Sequence, residues 1–227
     1  MPLLVADLGR HERFLNMMRV FKVRSPMSVG AWTLALFGAA SAAAVATDRM
    51  RDRGTVPAMI PETASLIAGA TGLVMATYTG VLLGVTAIPS WAENAGLLPV
   101  QFGASALGSA VSLLELRGHG EPALNALGFG VAGFETCAAV SIETNRSVAS
   151  EPLREGTSGR LIRAGAILSG PVPLVLRAIG IRSKRARRLA AASTLIGSLL
   201  TRFAWVEAGK ASARDPRVPL GIDRELP

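Results

Sequence analysis

One cysteine, two histidines and one tyrosine leave this chain poor in the residues that carry most enzyme chemistry. Cys137 alone excludes an internal disulfide, a CxxC pair and a metal or Fe–S cluster held by this chain's own thiolates. Its expected role is that of a small residue at a helix contact. His11 and His119 lie in polar connecting stretches and form no HxxH or HxxxH pair. The glycines are scattered and compose neither a P-loop nor a dinucleotide fingerprint. Aromatic residues make up 5% of the chain, too few to build a ladder for stacking bases. The first residues, MPLLVADLGR, have no basic region ahead of their short apolar patch, and Asp7 interrupts that patch. A secretory signal peptide is therefore not expected.

Charge is missing where its absence says most. From Thr63 to Ala92 the chain reads TASLIAGATGLVMATYTGVLLGVTAIPSWA, without one formal charge. Even trimmed before Pro89, this stretch exceeds the roughly 20 apolar residues that a helix needs to cross a bilayer. Half of all residues are apolar, 18% are charged and the mean hydropathy is +0.39. Several such runs in succession, without a polar face, describe membrane helices rather than one buried core helix. Ala and Gly supply much of the apolar content, which favours close backbone approach between helices in lipid.

The formal charge of +8 invites a nucleic-acid reading. The basic residues, however, sit mostly at the ends of apolar segments, where they act as interfacial anchors or meet anionic lipid. The densest block is IRSKRARRLA, with Arg182, Lys184, Arg185, Arg187 and Arg188. Membrane lipid is the expected partner of these groups, and nucleic acid is not.

The predicted fold is all-α, a polytopic transmembrane helical bundle of about six spans in a single domain over 1–227. Residues 1–26 read as an interfacial basic segment, with Phe14, Leu15, Met18 and Phe21 spaced to share one face. The bundle covers 27–208, and 209–227 reads as an extended polar tail. A first span runs from about Met27 to Ala46, with Ser25 as its cap and Pro26 in its first turn. Asp48 to Arg53 then form a polar turn. Further spans cover about Pro61–Ile88, Pro99–Leu116, Ala123–Ile142, Leu161–Ile179 and Leu189–Ala208. Trp91 is placed as an interfacial anchor. The fifth span is the weakest, because Pro171 and Pro173 interrupt it. Its flanking Arg163 and Arg177 are expected to extend their stems toward the interfaces. Six alternating spans put the 182–188 block opposite the basic amino-terminal segment, so the positive-inside rule pulls both ways.

Two intramembrane residues attract attention. Glu135, in GFETC of the fourth span, is an expensive carboxylate to embed unless it is paired, solvated or protonated. It either bonds across helices, with Arg202 of the sixth span as one partner, or handles protons or a quinone. Tyr78, in ATYTGVLL of the second span, carries a phenol that needs a partner when buried. It either holds two helices together with Thr79 or donates to a quinone carbonyl, with Gly80 allowing close approach.

Four stretches carry a family resemblance: ADLGRHERFLNMMRVFKVRSPMSVGAW at 6–32, ATYTGVLL at 76–83, AIPSWAE at 87–93 and TRFAWVEAGKASARDP at 201–216. In them the chain resembles the polysulfide reductase NrfD-like family of integral membrane subunits. The resemblance implies an eight-helix bundle that binds menaquinol or another quinol and carries no haem or Fe–S centre itself. An attached Fe–S subunit takes the electrons, and a molybdopterin-type catalytic subunit commonly completes the enzyme, in a bacterial cell membrane. By resemblance, Asp7, Arg10 and Arg19 belong to the family's first polar segment, and Trp32 follows at the next helix entrance. Tyr78, Thr79 and Gly80 match its intramembrane YTG element. In the family the DLGR segment follows two helices, so the six spans expected here are eight less the first two. The implied function is that of a membrane anchor exchanging electrons between menaquinol and an Fe–S partner, with Tyr78 and Glu135 at the chemistry. A purely structural anchor and a small-solute transporter are the alternatives.

Overall fold

A computed structural model describes residues 19–179 and 183–215. Every regular element among them is helical, and six stretches are long and apolar enough to cross a membrane. The described residues divide into two compact units that meet at Leu82 and Leu83. Asp7 and Arg10 lie outside the described residues.

The first unit is built on α1 (Pro26–Asp52) and most of α2 (Met59–Gly84). The start of α1 follows from its sequence. Ser25 is the N-cap, its side chain accepts from the Ser28 amide at 3.4 Å, and Pro26 occupies the first turn, where its missing N–H costs nothing. The far end departs from expectation. The charged stretch from Asp48 is not a turn but the end of the helix, which runs on to Asp52. Only then does Gly54, at φ +72°, reverse the chain, while Thr55 bonds back to the Met50 carbonyl. Arg49 and Arg51 fall in the last turn, where cations suit the exposed carbonyls.

α2 stops at Gly84 rather than at the edge of Pro89. A helix continued through Pro89 would crowd the Val85 carbonyl and leave it without a donor, so the chain leaves the helix ahead of the proline. α3 (Pro89–Glu93) opens the second unit, followed by α4 (Leu97–Leu116) and α5 (Pro122–Thr144). A 3-10 turn at Glu151–Leu153 leads to α6 (Gly156–Ser169), α7 (Pro171–Ile179) and α8 (Lys184–Arg214). The interrupted fifth span is thus a broken helix. Its break is at Gly170, and Pro171 and Pro173 cannot donate to a continuing ladder. The break is wedged against α5: a side chain on Gly170 would come within 2.6 Å of the Thr136 hydroxyl.

α8 is the spine of the second unit. It crosses α6 where Gly165 and Gly197 face each other, backbone to backbone. A Cβ added at Gly197 would stand 2.5 Å from the Ser169 amide, and one at Gly165 would stand 2.5 Å from the Thr201 hydroxyl. Ala190, Ala191, Ala204 and Ala208 of α8 are fully buried, so small residues set the helix spacing as expected in lipid. Leu98, Phe102, Ile142, Leu153, Ile162 and Trp205 fill the core at one end. Trp91 is tied into this packing rather than standing free at an interface. Its indole donates to the Trp205 carbonyl at 2.8 Å and lies against Gly209. α8 also runs to Arg214, so 209–214 are helical and not extended, and Ser212 is bonded to Ser90 at 2.9 Å.

Replacing Gly197 by Ala should cost about 1–3 kcal/mol, the usual range for forcing atoms into a packed contact. The same change at Gly130, where an added methyl meets open space, should be neutral or slightly stabilising. Thermal unfolding of the two purified variants in one detergent distinguishes them. Equal melting points would contradict the assigned contact.

Candidate functional site

In the first unit the intramembrane YTG element lies on α2. The Tyr78 ring is pressed against Gly30 of α1, where any side chain would overlap it. Glycine at position 30 is what admits the phenol. Tyr78 is partly buried, Thr79 is exposed and Gly80 is buried. Most threonines of these helices return their hydroxyl to a carbonyl one turn back, as Thr33, Thr71 and Thr77 do. The hydroxyls of Tyr78 and Thr79 have no such partner among the described residues. Two donors in an apolar span are thus without a hydrogen-bond partner among the described residues. Trp32, also on α1, meets Phe21 edge to face at 6.0 Å. With Ala35, Leu36 and Ala39 these rings line an open apolar groove of about 750 Å³. Arg19 is exposed.

The second unit holds its polar groups differently. Glu135 of α5 is 2% exposed and bonded across helices. The Ser169 hydroxyl of α6 donates to it at 3.5 Å, and the Gln101 side chain of α4 is a further polar neighbour. Gln101 in turn accepts from the Trp205 indole of α8 at 3.1 Å. Four helices therefore meet around this carboxylate. Arg202, named from sequence as a possible partner, is not in ion-pair contact with it among the described residues. Its guanidinium lies over the Phe102 ring at 5.1 Å. Farther along α4, Ser105 and Ser109 share the Ser198 hydroxyl of α8 at 2.6 and 3.3 Å.

A second buried charged cluster, an ion pair, was not anticipated from sequence. Arg177 of α7 is 1% exposed and grips Glu115 of α4 through two hydrogen bonds of 2.7 Å each. Its Nη1 also donates to Asn125 of α5 at 3.2 Å, and its guanidinium plane rests on Gly128, which has no side chain to obstruct it. Arg177 does not extend toward an interface, as expected of a flanking arginine; it turns inward because Glu115 offers it a bidentate partner. Arg163 does keep to the surface, paired with Glu143 at 2.6 Å. A signal for the inward pair was available. Gln101, Ser105, Ser112 and Glu115 repeat along α4 so as to share one buried face.

A family model described as polysulfide reductase matches residues 1–214. No curated protein and no solved structure matches the chain.

Removing one partner of the inward pair leaves a buried, uncompensated charge. Arg177→Met should therefore lower stability by about 3–5 kcal/mol. Adding Glu115→Met to that variant should recover most of the loss, because the stranded carboxylate goes with it. Chemical unfolding of the two single variants and the double variant measures the coupling. A double variant as unstable as Arg177→Met would refute the pairing argument.

Proposed function

This chain belongs to the NrfD-type polysulfide reductase family, and we propose that it is the quinol-interacting membrane anchor of a multisubunit respiratory oxidoreductase. Members of the family are membrane subunits that work with other oxidoreductase subunits, and this one is a multi-pass membrane protein. The finer reading is that menaquinol meets the first unit and passes two electrons to an Fe–S partner subunit, releasing two protons. A molybdopterin-type subunit then completes the enzyme at a bacterial plasma membrane. Division of labour of this kind suits a chain with one cysteine and two histidines.

The observation that carries the reading is the Tyr78 hydroxyl. It stands in an apolar span, oriented by its ring contact with Gly30, with no hydrogen-bond partner among the described residues. A quinone headgroup is an apolar ring with polar oxygens, and it suits a site that offers few, well-placed donors in an otherwise apolar wall. Tyr78 would donate to a quinone oxygen, Thr79 offers a second hydroxyl, and Gly80 keeps the backbone approachable. Among the described residues of the first unit, nothing spends those hydroxyls on holding helices together.

A second reading, that of a purely structural anchor, draws on Glu135. Its bond to Ser169, with Gln101 beside it, supports a role in joining helices rather than in moving protons. Within the quinol reading, we therefore assign the substrate contact to Tyr78 and leave Glu135 as a cross-helix bond.

Tyr78→Phe keeps the ring against Gly30 and removes only the hydroxyl. In the assembled complex it should lower quinol turnover by roughly three- to tenfold, the worth of one hydrogen bond, with the amount of assembled protein unchanged. Unchanged turnover would sink the assignment. Glu135→Gln preserves shape and hydrogen bonding, so turnover should stay close to the wild-type rate. A large loss with normal assembly would return proton handling to Glu135.

A further inference from the structure

α8 presents two kinds of surface. One face is buried in the second unit. The other is a stripe on which Leu189, Ile196, Leu199 and Phe203 are each more than half exposed. These residues recur at helical spacing and form one line along the axis. Followed toward the start of the helix, that line reaches Arg185 and Arg188, both exposed. Followed the other way, it reaches Glu207 and Lys210, which neutralise each other at 2.7 Å. From Arg188 to Glu207 the helix rises about 28 Å at 1.5 Å per residue. That matches the roughly 30 Å thickness of a bilayer's hydrocarbon core. The two charged ends of the stripe therefore stand at the two headgroup levels.

The two ends are not alike. Among the described residues, Arg185 and Arg188 have no ion-pair partner. Their neighbour Arg187 points to another side and donates to the Gly120 carbonyl at 3.5 Å. The nearby Glu121 stands 3.6 Å from His119. One end of the stripe thus holds a compensated pair, and the other holds two cations with no ion-pair partner among the described residues. An aqueous partner would meet those cations from the end of the bundle. A phospholipid meets them from the side, with its chains already lying along the stripe.

We propose that Arg185 and Arg188 form a binding site for the phosphate of an anionic phospholipid, whose acyl chains lie along Leu189, Ile196, Leu199 and Phe203. The guanidinium forks match phosphate oxygens, and their position at the edge of the stripe selects a lipid over a soluble anion. The site is independent of the quinol reading, since it uses no residue of the first unit.

The test is a titration of the detergent-solubilised full chain with fluorescent phosphatidylglycerol and, in parallel, with fluorescent phosphatidylcholine. The wild-type chain should prefer phosphatidylglycerol. R185Q/R188Q should weaken that lipid about 30-fold, two cations at about 1 kcal/mol each, and weaken phosphatidylcholine, whose choline already offsets the phosphate charge, far less. R185K/R188K should keep most of the preference and shows that the fold tolerates change at both positions. K210Q, at the compensated end, should leave it unchanged. The proposal fails if R185Q/R188Q binds phosphatidylglycerol as the wild type does, or if K210Q loses as much. It fails also if R185Q/R188Q keeps its lipid but no longer copurifies with other subunits, since the two arginines would then be a protein-docking face.

Discussion

The contact between Gly165 and Gly197 is the constraint on which the second unit depends. With no side chain on either residue, α6 and α8 approach until backbone meets backbone. In lipid there is little hydrophobic gain in bringing two apolar helices together, so close packing and polar bonding must supply the association. The close crossing holds Ser169, at the last turn of α6, beside α8, and from there its hydroxyl meets Glu135. The same crossing fixes where α6 must end. Gly170 then turns the chain against Thr136, and α7 departs with Arg177 directed inward. A side chain at either glycine would separate the helices and with them the polar groups they hold in register.

Those polar groups explain how a bundle rich in Ala and Gly acquires a defined arrangement. Small residues pack closely but specify little, since many rotations of smooth helices bury similar area. A carboxylate or guanidinium is far more selective, because in a low-dielectric interior it tolerates few positions. Glu115, Arg177 and Asn125 join α4, α7 and α5, while Glu135, Gln101, Ser169 and Trp205 join α5, α4, α6 and α8. α4 and α5 take part in both sets, and each set locks a different stretch of them. Rotation of either helix would break both.

Much of this was legible in the chain's text. Helix number and class followed from runs of uncharged residues too long and too uniform for a soluble fold. The cap at Ser25 and Pro26 and the interruption near Pro171 followed from local chemistry that tertiary structure had no reason to override. Charged residues at the ends of spans were the hard part. Asp48 to Asp52 read as a turn, yet arginine and methionine are good helix formers, and Gly54 rather than charge ends α1. Arg177 and Glu115 also lie near the ends of their helices, where a charge normally reaches water. Nothing local distinguishes an arginine that extends outward from one that turns inward. The difference lies in a partner 62 positions away. The tail was misjudged for a related reason: GKASAR is polar, but its small residues pack on Trp91 and Ser90.

The two units divide the work of polar groups in a way that bears on function. In the second unit most embedded polar side chains bond to one another across helices, although the Ser112 hydroxyl and the Arg177 Nε are buried without a partner among the described residues. In the first unit the Tyr78 and Thr79 hydroxyls have no partner among the described residues, although both sit in the least charged stretch of the chain. An uncommitted donor in an apolar span is costly to maintain for structure alone, because Phe and Val would pack as well without it. Retaining such donors makes physical sense where a ligand completes the hydrogen bonds. A lipid-soluble molecule with polar oxygens on an apolar ring can reach them from within the bilayer.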